Sequence, residues 1–264
     1  MQRYTKIFEE IHANHPLIHH ITNSVTVNDC ANITLCIGAS PVMAHAHEEV
    51  ADMTACANAL VLNIGTLDAY QVESMHIAAK SAERHDIPII LDPVGAGATS
   101  YRTKVAQELI DTYHITIIKG NIGEIGTLAG AEAKVRGVDA AFFSGQPDQV
   151  AMQLAEAKDS IVVITGVMDI IGDANRVVLV ENGAIEMGII SGTGCMASSL
   201  IGSCAAVSSD FLAGATTALC AFGIAGEHAA MHAQGPISFK THLFDALANL
   251  KSDVFFKEGK IQEG

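Results

Sequence analysis

Residues 87–97, with the sequence IPIILDPVGAG, form an apolar run that ends in an aspartate, a proline and two glycines. Similar runs, rich in valine, leucine and isoleucine, occur at residues 60–64 (LVLNI), 115–118 (ITII) and 161–164 (IVVI). Short apolar runs of this kind indicate strands that are buried on both faces, as in a parallel sheet. We therefore predict four strands of a mostly parallel sheet, at residues 60–64, 87–91, 115–118 and 161–164.

The segments between these runs have helical patterns, at residues 68–84, 103–112, 121–128 and 147–158. Residues 40–43 are expected to add a strand near the N-terminus. Strands that alternate with helices predict a doubly wound α/β fold, in which helices cover both faces of a central sheet. No internal repeat and no linker divides the chain, so we predict one domain over residues 1–264.

After Thr165 the pattern changes to short β-like segments at residues 169–172 and 176–180. The pair Asn182-Gly183 is a hairpin signal before residues 184–187, so we expect short antiparallel strands at one edge of the sheet. Residues 187–209 contain no charged side chain, but they include many polar residues and glycines. Because this run lacks a continuous apolar stretch, we interpret it as a glycine loop entering a buried helix, not as a membrane span. Residues 194–250 are rich in alanine and expected to be helical.

The composition excludes some classes of partner. The chain has 15 Lys+Arg against 29 Asp+Glu, a net charge of −14, whereas nucleic acids and anionic membranes bind basic faces. Hydrophobic residues make up 49% of the chain and the mean hydropathy is +0.31, which favours a large core and further surface buried in an oligomer.

The six cysteines contain no CxxC pair, and the start, MQRYTKIFEEIHANHP, is unlike a signal peptide. We expect free thiols and a cytoplasmic location.

Residues 191–195, SGTGC, lead directly into the predicted helix. Glycine lets the backbone approach an anion closely, and a helix N-terminus presents free N–H groups, so this loop is suited to a phosphoryl group. A plain tight turn is the alternative. Cys195 would lie in the first turn, where the helix terminus favours the thiolate, and it could act as a base or nucleophile. A small residue that fills the core is the alternative for this cysteine.

Three charged residues follow predicted strands at the edge where ligands of α/β sheets bind. Asp92 and Glu124 could converge on one crevice, and Mg²⁺ uses one or two carboxylates with phosphate oxygens and water. A turn-forming aspartate and a glutamate favoured by the helix dipole are the alternatives. Lys119 could place a point charge on a phosphate, or could be a solvated lysine at the end of a strand.

Eight stretches together resemble the hydroxyethylthiazole kinase family of the ribokinase-like superfamily. They occur in the family's order at residues 16–23 (PLIHHITN), 38–43 (GASPVM), 63–66 (NIGT), 92–95 (DPVG), 119–124 (KGNIGE), 163–166 (VITG), 192–195 (GTGC) and 235–239 (GPISF). Each stretch is weak alone, but eight in order are specific and span most of the chain. The resemblance implies a ribokinase-like fold and ATP-dependent phosphorylation of 4-methyl-5-(2-hydroxyethyl)thiazole in thiamine salvage.

The resemblance also implies a role for each matching residue. Met43 and Gly192 would contact the thiazole alcohol, Lys119 and Thr165 would bind ATP, Asp92 and Glu124 would organise Mg²⁺, and Cys195 would stand where related kinases have an aspartate base. The family assembly implied is a homotrimer with active sites at subunit interfaces.

The chain departs from the family pattern at three places. Lys119 replaces a frequent arginine, Ile122-Gly123 replaces a small polar pair, and Ile237 replaces a glycine. None of these changes removes a reacting group. The alternative functions are a related kinase for another small alcohol, of hydroxymethylpyrimidine or pyridoxal type, an ATP-dependent dehydratase of the same fold, and a nucleotide sensor without catalysis.

Overall fold

The computed structural model describes residues 1–136 and 146–264. Within them the chain forms one sheet in the order β2-β1-β3-β4-β5-β6-β7-β8-β9. The strands are β1 (Leu17–Ile21), β2 (Ser40–Val42), β3 (Ala59–Asn63), β4 (Ile89–Asp92), β5 (Ile117–Asn121), β6 (Ile161–Thr165), β7 (Asp169–Gly172), β8 (Val177–Val180) and β9 (Ile261–Glu263). The helices are α1 (Gln2–Asn14), α2 (Val27–Cys36), α3 (Val50–Ala55), α4 (Ala69–Arg84), α5 (Ser100–Thr112), α6 (Ile122–Arg136), α7 (Pro147–Lys158), α8 (Thr193–Ala205), α9 (Phe211–Ala230), α10 (Pro236–Ala248) and α11 (Ser252–Glu258).

The pairing of the strands confirms a mostly parallel sheet with antiparallel strands at one edge. All pairs from β2 through β6 are parallel, and β7, β8 and β9 are added antiparallel to one another. The parallel strands are apolar on both faces because helices cover both. One face carries the core formed with α1, α2, α8, α9 and α10, and the other carries the core formed with α4, α5 and α7.

The structure contains the predicted helices and strands except the β segment at residues 184–187, and most of them begin or end a few residues from the predicted bounds. The helix at residues 147–158 and the strand at 169–172 have the predicted bounds, while β5 lies a little later than residues 115–118. The helix predicted at 121–128 continues to Arg136. The uncharged run contains the buried helix α8, as expected. In residues 1–136 and 146–264, no helix has the length and apolar character needed to cross a membrane.

The predicted hairpin at Asn182-Gly183 is wrong. Residues 184–187 do not return along β8; a 3-10 turn, Ile185–Ile189, follows instead, and β8 pairs with β9 from the C-terminal end of the chain. The buried Asn182 side chain accepts a hydrogen bond from the Lys260 amide at 2.6 Å and donates to the Glu258 carbonyl at 2.9 Å. Its amide thus anchors the incoming C-terminal segment, and this tertiary contact overrides the local turn signal.

Helix α8 lies close against the centre of the sheet. A Cβ added to Gly202 would lie 2.7 Å from a methyl group of Val61 in β3, which is closer than a real side chain allows. The absence of a side chain at Gly202 therefore lets α8 pack directly on the strands. The first turn of α8 lies at the carboxyl ends of β3 and β5, where Cys195 contacts Asn63 and Gly194 contacts Lys119.

Candidate active site

A cavity of about 350 Å³ opens where the parallel strands end and α8 begins. Its lining contains six of the seven predicted site residues: Asp92, Lys119, Glu124, Thr165, Gly192 and Cys195. The other described residues that line it are Asn23, Val25, Thr26, Gly65, Thr66, Val94, Asn121, Ser191 and Gly194. The strand-end loops therefore converge on one crevice, as expected.

Asp92 and Lys119 form a buried ion pair at the edge of the cavity. Asp92 ends β4 and Lys119 lies in the neighbouring strand β5. The Lys119 ammonium lies 3.5 Å from Asp92 Oδ2 and donates a hydrogen bond to the Gly194 carbonyl at 3.0 Å. Burial raises the pKa of the Asp92 carboxyl, while the Lys119 charge and the Ser198 hydroxyl oppose the rise. The lysine is thus an internal residue, not a solvated one at the end of a strand.

Two further side chains hold the Asp92 carboxylate in place. Ser198 of α8 donates to Asp92 Oδ2 at 2.7 Å, and Asn63 at the end of β3 donates to the same oxygen at 2.9 Å. The parallel register places Asn63 directly opposite Asp92. The carboxylate is therefore fixed by residues from β3, β5 and α8, and it is more than the turn-forming aspartate of the alternative interpretation.

Glu124 joins the start of α6 to the loop after β4. Its Oε2 accepts from the Asn121 backbone N–H at 2.9 Å, and Asn121 Oδ1 accepts from the Glu124 N–H at 3.0 Å. This reciprocal pair is a capping box. Glu124 Oε1 accepts from the Gly95 N–H at 2.8 Å. Glu124 thus has the helix-terminal role of the alternative interpretation, and its carboxylate also lines the cavity.

The N-terminus of α8 faces the cavity with free backbone donors. Gly192 is the N-cap, with a φ of 93° that favours glycine, and a Cβ there would collide with the methyl group of Thr26. The first intrahelical hydrogen bond runs from the Met196 N–H to the Gly192 carbonyl, so the N–H groups before Met196 have no acceptor within the helix. Such a terminus is suited to a phosphate group.

Cys195 lies in the first turn of α8, as predicted, and is partly buried. Its Sγ is 3.3 Å from Asn23 Nδ2 and 3.3 Å from Asn63 Nδ2. The sulfur thus sits between the free end of a helix and two side-chain amides. It does not fill the apolar core, in contrast to the fully buried Cys204.

The loop after β6 forms another wall of the cavity. Thr165 ends β6, and its hydroxyl is 3.4 Å from the Gly120 carbonyl. Asp169, at the start of β7, accepts from the Gly166 N–H at 3.0 Å. Burial raises the pKa of Asp169 to about 6, against the opposing effects of that N–H and of the Lys119 charge. Through its hydrogen bond with the Gly166 N–H, Asp169 stabilises the turn that follows Thr165.

Met43 lies apart from the other predicted residues. It directly follows β2, the outermost parallel strand, and it is not among the described residues that line the cavity. Its contact with an alcohol substrate stays a prediction.

The donor set of the cavity fits a magnesium ion that is bound together with a nucleotide. Among the side chains that the structure describes, no group of three or more histidine, cysteine or acidic residues could hold a metal ion. Mg²⁺ is satisfied by one or two carboxylates when phosphate oxygens and water complete its shell. Asp92 and Glu124 supply two carboxylates, and Lys119 with the α8 terminus supplies positive charge for phosphates. The arrangement can therefore support phosphoryl transfer.

Sequence reasoning missed three side chains that hydrogen-bond to the predicted site residues: Asn23, Asn63 and Ser198. Asn63 could have been found, because it is the one polar residue in the strand predicted at residues 60–64 and lies next to its carboxyl end, at the same edge as Asp92. Asn23 closes the stretch PLIHHITN, whose strand β1 we did not predict. Ser198 lies one helical turn after Gly194 in a run of small residues, where nothing in the local pattern distinguishes it.

A sequence model of the hydroxyethylthiazole kinase family matches residues 8–253. The chain is similar to the hydroxyethylthiazole kinase of Methanocorpusculum labreanum, with 55% identity over 263 residues that cover 100% of this chain and 99% of the relative.

Solved structures agree. The hydroxyethylthiazole kinase protein of Pyrococcus horikoshii OT3 superposes with a TM-score of 0.93 at 39% identity and covers 100% of both chains. A ribokinase-like superfamily protein of Enterococcus faecalis V583 superposes with a TM-score of 0.65 at 13% identity, covering 92% of this chain and 93% of the other. This second likeness shows the ribokinase-like fold.

Proposed function

Because the chain belongs to the hydroxyethylthiazole kinase family, we propose that it transfers the γ-phosphoryl group of ATP to the hydroxyl of 4-methyl-5-(2-hydroxyethyl)thiazole, a step of thiamine salvage. The observation that carries the proposal is the meeting of Asp92, Lys119, Cys195 and the N-terminus of α8 in one cavity. Phosphoryl transfer needs alignment and charge stabilisation more than covalent chemistry, and these groups supply both.

The phosphates of ATP lie at the end of the cavity that is formed by Lys119 and the N-terminus of α8. The backbone N–H groups at the start of α8 cradle the transferring group, and the Lys119 ammonium adds a charge next to them. Preorganised donors of this kind stabilise charge in the transition state without rearrangement. Thr165 holds the nucleotide from the side of β6, and Gly192 contacts the alcohol. The contact of Met43 with the alcohol follows from the family resemblance alone, because Met43 does not line this cavity.

The reaction joins the alcohol oxygen to the γ-phosphorus. The bond between this phosphorus and the bridging oxygen breaks, and ADP leaves with the electron pair. The thiolate form of Cys195 accepts the proton of the alcohol as a general base and becomes the thiol. Asp92 and Glu124 would hold Mg²⁺, which when bound supplies charge that neutralises the phosphate oxygens.

The test is steady-state ADP release with ATP, Mg²⁺ and a panel of small alcohols. We expect turnover with the thiazole alcohol and a much lower kcat/KM with hydroxymethylpyrimidine and pyridoxal. Turnover with only one of those alcohols, dehydration that depends on ATP, or tight ATP binding without turnover would each contradict the proposal.

The proposal includes a homotrimer with active sites at subunit interfaces. Large apolar side chains are exposed on and next to α2 and α10. The 3-10 turn that packs against α10 exposes two more. Together these side chains are Val25, Leu35, Ile185, Ile189, Met231 and Ile237. Val25 also lines the cavity. An exposed apolar surface of this kind favours an interface, and the number three comes from the family resemblance.

Light scattering tests the assembly. A trimer has three times the chain mass of 27.7 kDa, and a measured mass near that of one chain would refute it. The proposal also places the enzyme in the cytoplasm, which fits its six free cysteines because reducing compartments keep thiols free.

A further inference from the structure

We propose that Asn23 and Asn63 are positioning residues that hold Cys195 Sγ as a hydrogen-bond acceptor for the proton of the alcohol. The inference rests on the proposed function and adds two residues to it. It starts from one observation: both side-chain amides place Nδ2, and so an N–H group, 3.3 Å from the sulfur.

The orientation of the Asn23 amide is determined by the backbone. Its Oδ1 accepts from the Val25 N–H at 3.1 Å, from the Thr26 N–H at 3.0 Å and from the Thr26 hydroxyl at 3.0 Å. A flipped amide would turn its NH₂ group toward these donors. Because amide orientation follows from such partners, Nδ2 must face Cys195.

The Asn63 amide is oriented in the same way. Its Oδ1 accepts from the Gly65 N–H at 2.9 Å and from Asn23 Nδ2 at 3.0 Å. Its Nδ2 therefore points the other way, to Asp92 Oδ2 at 2.9 Å and to Cys195 Sγ. One amide thus ties the sulfur to the carboxylate that would hold the metal.

Both of the described side chains that hydrogen-bond to the sulfur therefore donate to it. Two N–H groups and the positive end of α8 all direct partial positive charge at Sγ, which stabilises negative charge on it. The same contacts set the distance between the base and Asp92. Asn23 is the cleaner probe, since Asn63 also contacts Asp92 directly.

Asn23→Asp is the primary variant. Its carboxylate keeps acceptors for the Val25 and Thr26 N–H groups but has no N–H to donate to Cys195. Asn23→Ser is the uncharged counterpart, since serine accepts in the same type of turn. For both variants we expect kcat to fall about 10-fold to 100-fold, with the KM for ATP nearly unchanged. This loss does not exceed the lower limit of about 10²-fold that is typical of removing a general base, because the sulfur itself is still present.

A second readout does not depend on kinase activity. The alkylation rate of each thiol by iodoacetamide is followed by peptide mass spectrometry, with the exposed Cys56 as the internal reference. Loss of the N–H donor should slow alkylation at Cys195 in both variants and leave Cys56 unchanged. This result would stand even if the alcohol panel assigned a different substrate.

Cys195→Ala completes a double-mutant cycle. Without the sulfur, Asn23→Ser should cost less than about threefold in kcat, because contacting residues are not additive. Equal losses in the presence and absence of the sulfur, or unchanged Cys195 alkylation in a folded Asn23→Ser, would overturn the proposal. A loss confined to Asn23→Asp would also overturn it, since the added charge would then be the cause.

Discussion

Replacing Lys119 with methionine removes the cation from a buried pair and leaves the Asp92 carboxylate in the interior. The Lys119 and Asp92 side chains are 4% and 1% exposed, at 3.5 Å. At this distance and an effective dielectric constant of about 20, their attraction is about 5 kcal/mol. Removal of one partner from a buried pair costs about 3–5 kcal/mol. Because Ser198 and Asn63 still donate to Asp92, we expect the lower end, about 3 kcal/mol.

The assay is urea unfolding of the enzyme in EDTA without nucleotide, with thermal unfolding as a second probe. Lys104→Met is the matched control, because Lys104 lies at the same 3.5 Å from Glu108 but is 71% exposed, and it should cost less than about 0.5 kcal/mol. Loss of Lys119 lets the Asp92 carboxyl pKa rise further, so Lys119→Met should be less destabilised at pH 5 than at pH 8. A free energy of unfolding within about 1 kcal/mol of wild type at pH 8 would refute the reasoning, since the free energy of the pair would then be negligible.

Three further predictions concern catalysis, metal dependence and pH. Cys195→Ala and Cys195→Ser should lower kcat by about 10²-fold, while Cys195→Asp should keep or exceed wild-type kcat at saturating substrates; three unchanged values would mean that the thiol has no catalytic role. Glu124→Gln should raise the Mg²⁺ concentration needed for half-maximal rate with little change in far-UV circular dichroism, and an unaltered Mg²⁺ dependence would leave Glu124 only its capping role. Burial lowers the pKa of His20 to about 4, so the unfolded chain binds a proton that the folded chain excludes, and stability is lost as pH falls from about 6.5 to 4, by about 3 kcal/mol. Urea unfolding across this range should show a flatter pH dependence for His20→Gln, and parallel curves would contradict the assignment.

The sequence by itself determined the elements whose signals are local. The valine and isoleucine runs predicted β3 to β6 because a parallel strand is buried on both faces, which only continuous apolar runs can satisfy. The glycines of residues 191–195 predicted the start of α8, since the turn needs a positive φ at Gly192. Asp92, Lys119 and Glu124 could be chosen because chain order and strand direction together place strand-end loops at one edge of the sheet. Cys195 could be chosen from its place at a helix N-terminus, and Thr165 from the family resemblance.

The tertiary structure alone decided contacts between distant parts of the chain. Asn182-Gly183 reads as a hairpin, yet Asn182 bonds Lys260, 78 residues away, and β8 accepts β9 in place of the next segment. Likewise Asn23 meets Cys195 across 172 residues, and Lys119 reaches a carbonyl of α8 across 75. The physical reason is the same in each case. A local pattern reports the backbone's own preferences, whereas a buried side chain takes whichever partner the packed fold brings to it, because an unpaired polar group in the interior costs more free energy than a turn preference supplies.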